Sequence, residues 1–383
     1  MNRYTIVAEL IKKRVRSGDY SLRGVPAERQ LAAEVGVSYM TVRRALRELV
    51  DEGILVRQAN GRLAVGRLTE GNGTHLQLAF LAPTYNSPVI EQWRVALDAV
   101  IRQRQGLVRP ILYMHWDDPV VQDALDGFDG VFLVPIPESL PPHVELRLRQ
   151  AKRLVVVDQD FSHMGIPSVR LFPPVFVQRL LDHLSQLGHQ RIDCLAVYPE
   201  NPDADPVILQ RVEQWNVWRR VHGCEGRLID VPVHLHTAPF DVAYRAMKRE
   251  LDEGTFKATA IMCVTAPAAM GAMRALYEHG LWPGRDISVC TVNAESMGDT
   301  LIPSLTALEA PDPAPYLATC VDWIAAGGNA WQGPLLLQPA DVPLVAREST
   351  GEPVSRPTHR RPAATAECVR TVEALLHTGG VNA

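Results

Sequence analysis

From residue 76 to about residue 350, short apolar runs alternate with amphipathic stretches, and that alternation leaves few folds open. The runs are LQLAFLAP, PILYMHW, GVFLVPI, RLVVVDQ, SVRLF, RIDCLAV, LIDVPV, TAIMCV, DISVCTV and SLTALEA. Helical spacing fills most of the intervals, as in FVQRLLDHLSQLGH, FDVAYRAMKRELDEG and PAAMGAMRALYEHG. Strands that are buried on both faces read as continuous apolar runs, and parallel neighbours need a helical crossover between them. The pattern therefore predicts an α/β body of parallel sheets with helices on both faces. The number of repeated units predicts two subdomains.

The first 68 residues follow a different plan. Ile6, Val7, Leu10, Ile11 and Val15 recur at helical spacing, and Ser17-Gly18-Asp19 ends that helix. Pro26 suits the first turn of a second helix, PAERQLAAEV. Gly36 permits a tight left-handed turn, and Ser38 is an N-cap for a third helix. In that helix Val42, Ala45, Leu46, Leu49 and Val50 make one stripe, which leaves Tyr39, Met40, Arg43, Arg44 and Arg47 outward or flanking. ILVRQANGRLAV then reads as two short strands around Asn60-Gly61, a dipeptide that favours a hairpin turn. Three helices followed by a hairpin is the order of a winged helix-turn-helix.

Charge divides at the same boundary. Net charge is -4 overall, yet residues 1–68 hold thirteen Lys+Arg against seven Asp+Glu. A basic head on an acidic body is expected when only the head meets phosphates. The polar, glycine-containing stretch at 69–75 reads as the linker to a body spanning 76–350.

The segment VPAERQLAAEVGVSYMTVRRALRELVDEGILVRQANGRLAV resembles the GntR-type winged helix. The matching pieces are Pro-x-Glu-Arg-x-Leu-Ala, Gly-Val-Ser-x-x-Thr-Val-Arg-x-Ala-Leu and Glu-Gly-Ile-Leu, in that order. The resemblance implies a third helix in the major groove of double-stranded DNA and a wing at the adjacent minor groove. It assigns DNA contact to Arg29, Ser38, Thr41 and Arg43, with Gly61 at the wing tip. Tyr39, Met40, Arg44, Arg47, Asn60 and Arg62 flank these and complete the expected surface. Position 39, commonly arginine in that family, is tyrosine here. Arginine forms a bidentate bond with guanine and tyrosine does not, so the operator is expected to differ.

The body resembles the effector domain of LacI-type repressors, which shares the fold of periplasmic sugar-binding proteins. The residues that carry this are DHLSQLGHQRIDCLAV, TAIMCVTAPAAMGAMRALYEHGLWPGRDISVCTVNAES, IPSLTALEAP and VPLVARESTG. The resemblance implies a ligand cleft between subdomains near the carboxyl ends of strands. Expected there are Tyr85, Asn86 and Ser87, Gln92 and Trp93 one turn into the next helix, Asp158, Arg211, Trp215, Thr265 and Asn293. The aromatic residues equally suit core packing. Three family positions depart from the pattern: Asn-Asp is Thr265-Ala266, one aspartate is Asn293, and another is replaced by Leu171-Phe172. Lost carboxylates remove acceptors for sugar hydroxyls. Either the effector is a less hydroxylated or more anionic sugar derivative, or the cleft has lost its ligand.

Other classes fit less well. The six cysteines are scattered without metal spacing, so neither a metal nor a disulfide framework is expected. No Gly-x-Ser-x-Gly, Walker A or His-Glu-x-x-His motif occurs, and His234 with His236 is only an alternating pair. A body built for pyridoxal phosphate would need a suitably placed lysine, and past the head only Lys152, Lys248 and Lys257 occur. No catalytic set and no cofactor are expected. No leader and no 18-residue apolar run is seen, so a cytoplasmic, non-membrane protein is expected. Residues 351–383 begin proline-rich and polar and end in a short amphipathic stretch through Val369, Val372, Leu375 and Leu376, which reads as a tail. The combined expectation is a homodimeric regulator, more often a repressor of carbohydrate-related genes. A constitutive dimeric DNA binder without a ligand is the alternative.

Overall fold

The computed structural model describes residues 2–20, 24–58, 61–66, 76–84, 87–199, 206–233 and 237–354. Asn60, Tyr85, Asn86, the 69–75 linker, His234, His236 and nearly all of the tail lie outside the described residues.

The head contains α1 (Arg3–Arg16), α2 (Glu28–Val35), α3 (Tyr39–Asp51), β1 (Leu55–Arg57) and β2 (Leu63–Val65). Val7, Ile11, Val15, Leu31, Val42, Leu46, Leu49 and Leu55 form its core. Two expectations shift. Ile6 is 52% exposed, so the buried stripe of α1 runs through Val7, Ala8, Ile11 and Val15. Pro26 precedes α2, whose N-cap is Ala27. Ser38 caps α3 by accepting from the Thr41 backbone N–H at 3.2 Å. The Gln58 N–H donates to the Arg62 carbonyl, and Gly61 has φ +80°. At the base of the wing, a Cβ on Gly66 would lie 2.2 Å from the Gly53 carbonyl oxygen, so only glycine lets β2 close against the end of α3.

The chain divides into two compact units, the first of which includes the head. Unit 1 takes residues up to Pro173 together with Pro311–Ala340; unit 2 takes Pro174–Ala310 and the residues from Asp341. After the head, unit 1 runs β3 (Gln77–Pro83), α4 (Pro88–Arg102), β4 (Leu107–Tyr113), α5 (Pro119–Gly127), β5 (Gly130–Leu133), α6 (Pro142–Gln150), β6 (Leu154–Val157) and β7 (Ser168–Val169). Unit 2 runs α7 (Val177–Gln186), β8 (Ile192–Pro199), α8 (Pro206–His222), β9 (Leu228–Val233), α9 (Pro239–Asp252), β10 (Ala260–Cys263), α10 (Ala266–Glu278), β11 (Ser288–Asn293) and β12 (Thr306–Leu308). The chain then returns α11 (Ala314–Ala325) and β13 (Leu336–Leu337) to unit 1 and closes unit 2 with β14 (Leu344–Val345).

Each unit is a six-stranded sheet. The orders are β13-β7-β6-β5-β3-β4 and β14-β12-β11-β10-β8-β9, parallel throughout except for the β12–β14 pair. In both, strand order reverses beside the first strand, between β3 and β5 and between β8 and β10. Such a reversal leaves a crevice at the carboxyl ends of the strands, where crossovers diverge to opposite faces. The expected PILYMHW strand begins three residues earlier, at Leu107, and contains Pro110. Proline is tolerated because β4 is an edge strand. The expected SVRLF strand is cut to Ser168–Val169, as Pro173 and Pro174 follow closely.

Candidate functional site: a basic helix in the head and the carboxyl edges of two sheets

The α3 stripe of Val42, Ala45, Leu46 and Leu49 is buried, which turns Tyr39, Met40, Arg43, Arg44 and Arg47 outward. Arg29, Arg43 and Arg47 are exposed and make no ion pair among the described residues. On other faces of the head the charges are matched: Lys12 pairs with Glu52 at 2.8 Å and Arg14 with Glu34 at 3.3 Å. Unneutralised guanidiniums on one helix face are what phosphate contact requires. Arg44 lies over the Tyr4 ring at 4.0 Å. Ser38 and Thr41 share a hydrogen bond of 2.8 Å at the helix start. The Glu28 carboxylate near the Tyr39 hydroxyl raises its pKa above the usual tyrosine value. In the wing, the Arg57 guanidinium donates to the Gly61 carbonyl at 2.9 Å, next to Arg62. Arg29, Ser38, Tyr39, Met40, Thr41, Arg43, Arg44, Arg47, Gly61 and Arg62 are thus all described, and the helix residues among them share its outer face or its start.

In unit 2, Arg211 on α8 donates to the Val264 carbonyl at 2.9 Å, just past the carboxyl end of β10. Thr265 follows and caps α10, accepting from the Ala268 N–H at 3.4 Å. Asn293 ends β11, and its side-chain oxygen accepts from the Glu295 N–H at 2.8 Å. These three expected residues therefore converge on the carboxyl edge of one sheet. Glu295 and Ser296 both have positive φ, at 51° and 62°. Non-glycine residues in that region carry strain, and such strain collects at functional sites.

In unit 1, Asp158 follows β6 with φ 75°, and Ser87 stands at the N-cap of α4 without a side-chain cap bond. Arg170, one residue past β7, was missed from the sequence. Its Nε is buried without a hydrogen-bond partner, while Nη2 donates to the Gln338 side chain at 3.0 Å. Burial lowers its pKa and the neighbouring Asp160 opposes that. The available signal was a cation closing an otherwise apolar strand.

Two expected residues are corrected. Trp215 is 3% exposed, and its Nε1 donates to the carbonyl of Ile192, the first residue of β8. It therefore packs at the amino end of the sheet, opposite the carboxyl edge that holds Arg211. Trp93 is 2% exposed within the α4–α11 core, beside Phe80 and Leu97. Both indoles are used in packing. A groove of about 470 Å³ along α7, lined by Phe176, Arg179, His183 and Leu344 among others, includes none of the expected residues. Among the described residues, no cluster of His, Cys, Asp and Glu is arranged to hold a metal, and no helix is long and apolar enough to cross a membrane.

Comparison with known proteins matches two stretches of the chain. Residues 3–65 match the family of bacterial regulatory proteins called gntR, and residues 181–350 match a periplasmic binding protein-like domain. An arabinose metabolism transcriptional repressor of Halalkalibacterium halodurans is 23% identical over 91% of this chain and 97% of its own length. The histidine utilization repressor of Klebsiella aerogenes is 36% identical over 27% of this chain and 36% of its own. The regulator GalR of Streptococcus thermophilus is 26% identical over 42% of this chain and 48% of its own. The chain thus spans about half or less of the length of these last two relatives. A lac repressor dimer bound to operator and an anti-inducer shares the fold at TM-score 0.57 and 21% identity, over 73% of this chain and 96% of that one. A LacI family regulator from Enterococcus faecium with bound ribose does so at TM-score 0.60 and 19% identity, over 73% and 100%.

Proposed function

We propose that this chain, a gntR-family winged head joined to a periplasmic-binding-protein-like body, is a ligand-responsive transcription regulator that acts as a repressor. The single observation that carries the reading is α3: one face is locked into the head's core, and the other presents unpaired arginines beside a wing. The helix enters the major groove, Arg43 and Arg47 meet the duplex, and Arg62 on the wing approaches the minor groove. Neutralising several phosphates releases counterions, so affinity falls steeply with salt. Titration of the full chain against labelled random-sequence duplex at rising salt tests this. Salt-insensitive or absent binding overturns it.

The regulator works as a homodimer, since two heads on a palindrome multiply affinity through effective concentration. Among the described residues the outer edge of β4 is unpaired, and Leu112 on it and Met114 just past it are exposed. Edge strands with exposed apolar residues invite pairing with a second copy, and the lac repressor of similar fold is a dimer. Binding to operator DNA assigns the protein to the cytoplasm.

The effector is a small sugar derivative with acidic character, held at the carboxyl edge of the unit 2 sheet. Arg211, Thr265 and Asn293 support this. Arg211 supplies a cation there, while family carboxylate positions beside it are Thr265-Ala266 and Asn293, which favours a sugar acid or sugar phosphate over a neutral sugar. The effector must bind one state of the regulator more tightly than the other; a coupling of about 1–3 kcal/mol changes operator affinity many-fold. The burial of Trp93 and Trp215 in packing favours the second reading, a constitutive DNA binder. A thermal-shift series with neutral sugars, sugar acids and sugar phosphates separates the two: stabilisation by an anionic member supports the sensor, and none supports the constitutive form.

A further inference from the structure

The first turn of α3 carries an unusual surface for a helix that meets DNA. Met40 is 66% exposed and Tyr39 is 39% exposed, side by side at the leading end. Side chains on a helix tilt toward its N-terminus, so these two project ahead of the arginines. The polar groups around them are engaged elsewhere. Ser38 and Thr41 hydrogen-bond to one another, Ser38 also caps the helix, and Arg44 covers the Tyr4 ring. What the first turn offers a base edge is an unencumbered thioether and the ring of a tyrosine.

Base edges in the major groove present hydrogen-bonding groups and one apolar group, the 5-methyl of thymine. An apolar side chain laid against a hydrogen-bonding edge would desolvate it without a partner, at a cost. Against the methyl it buries two apolar surfaces at once. Methionine is unbranched and polarizable, so it adapts to a small protruding group.

We propose that Met40, with the Tyr39 ring beside it, reads the 5-methyl group of a thymine in each operator half-site. This rests on the DNA-binding role proposed above and adds the base that the first turn selects.

The test begins with the full chain and a random duplex library, from which bound sequences are enriched. Each thymine of the enriched duplex is then replaced in turn by deoxyuridine, which lacks only the methyl, and dissociation constants are measured by fluorescence anisotropy. At one thymine per half-site the replacement weakens binding by the unmodified chain about fourfold, the equivalent of about 0.8 kcal/mol for one buried methyl. Met40→Ala binds more weakly to the thymine duplex and is indifferent to deoxyuridine at that site. Its side chain is exposed, so folding is unaffected by the change. If salt-sensitive binding is retained but no deoxyuridine position matters, or if Met40→Ala and Tyr39→Ala keep the full penalty, the inference is overturned while the DNA-binding role stands. If no duplex is enriched at all, both fall.

Discussion

The Arg109 guanidinium donates to the Asp19 carboxylate at 2.6 Å and to the Ser17 carbonyl at 2.8 Å. Arg109 lies on β4, and Ser17 is the C-cap of α1. The Gln77 side chain, at the start of β3, donates to the Val15 carbonyl at 3.2 Å. Together they supply donors to the last carbonyls of a helix, whose terminal oxygens lack intrahelical partners and carry partial negative charge. A cation from the body therefore sits at the negative end of a head helix.

That contact is half exposed, with side-chain accessibilities of 30% and 41% for Arg109 and Asp19. A double-mutant cycle of Arg109→Ala and Asp19→Ala is expected to give a coupling of at most about 1 kcal/mol in urea unfolding. The coupling disappears in 1 M salt, where the Debye length falls to about 3 Å. A coupling that persists at high salt would show that the link is not electrostatic.

Arg43→Ala separates recognition from folding. Its side chain is exposed, so the change leaves unfolding stability within about 0.5 kcal/mol of the parent. Duplex affinity falls, and the slope of log affinity against log salt falls by about one if the contact is to phosphate. Leu46→Ala does the reverse: Leu46 is 2% exposed in the head's core, and the cavity costs about 2–5 kcal/mol. DNA binding is then lost through unfolding, visible as lost helical signal from the head.

His189 makes stability depend on pH. It is 3% exposed and bonded to the Thr259 and Ser288 hydroxyls and the Gly351 carbonyl. Burial pushes its pKa below the ordinary 6.5, and His183 is lowered by burial as well. The unfolded chain thus binds protons that the folded chain does not, so stability is full above pH 6.5 and declines as pH falls below it. Each histidine contributes a slope of up to about 1.4 kcal/mol per pH unit until its folded pKa is passed. Urea midpoints from pH 7.5 to 5.5 measure this, and His189→Gln flattens the slope while lowering stability at neutral pH.

Leu112→Glu tests the proposed dimer. Leu112 is 62% exposed on the unpaired edge of β4, so a charge there leaves the folded unit intact. Two such charges brought together by a two-fold axis repel, and sedimentation velocity is expected to show a monomer with much weaker operator affinity. A dimer that survives the change places the interface elsewhere.

Trp215→Ala is expected to destabilise unit 2 by about 3–5 kcal/mol, because it empties a packed site and leaves the Ile192 carbonyl without its donor. It is therefore a poor probe of the effector site. Arg211→Ala, at the carboxyl edge, is expected to abolish any ligand-induced thermal shift at smaller cost in stability; an unchanged shift removes Arg211 from the site.

Much of this was legible from local patterns. The stripe through Val42, Leu46 and Leu49, the Ser38 cap and the positions of most strands follow from helical and strand periodicity, which neighbouring residues alone determine. Arg43 and Arg47 could be named for the same reason: once one face of a short helix is buried, the other is exposed. Arg211, Thr265 and Asn293 were reached through a resemblance to other chains, and the structure groups them at one edge.

The linear order of residues determined that this chain has a three-helix head with a wing and a body of repeated strand–helix units, because those depend on spacing within a few turns. Only the tertiary structure decided that Trp215 anchors the amino end of its sheet and that Arg170 keeps a buried, unpartnered Nε. It alone joined Arg109 to Asp19, ninety residues away. Strand order and the direction in which each helix returns are set by packing between distant segments, and no local periodicity encodes which end of a sheet a given side chain will reach.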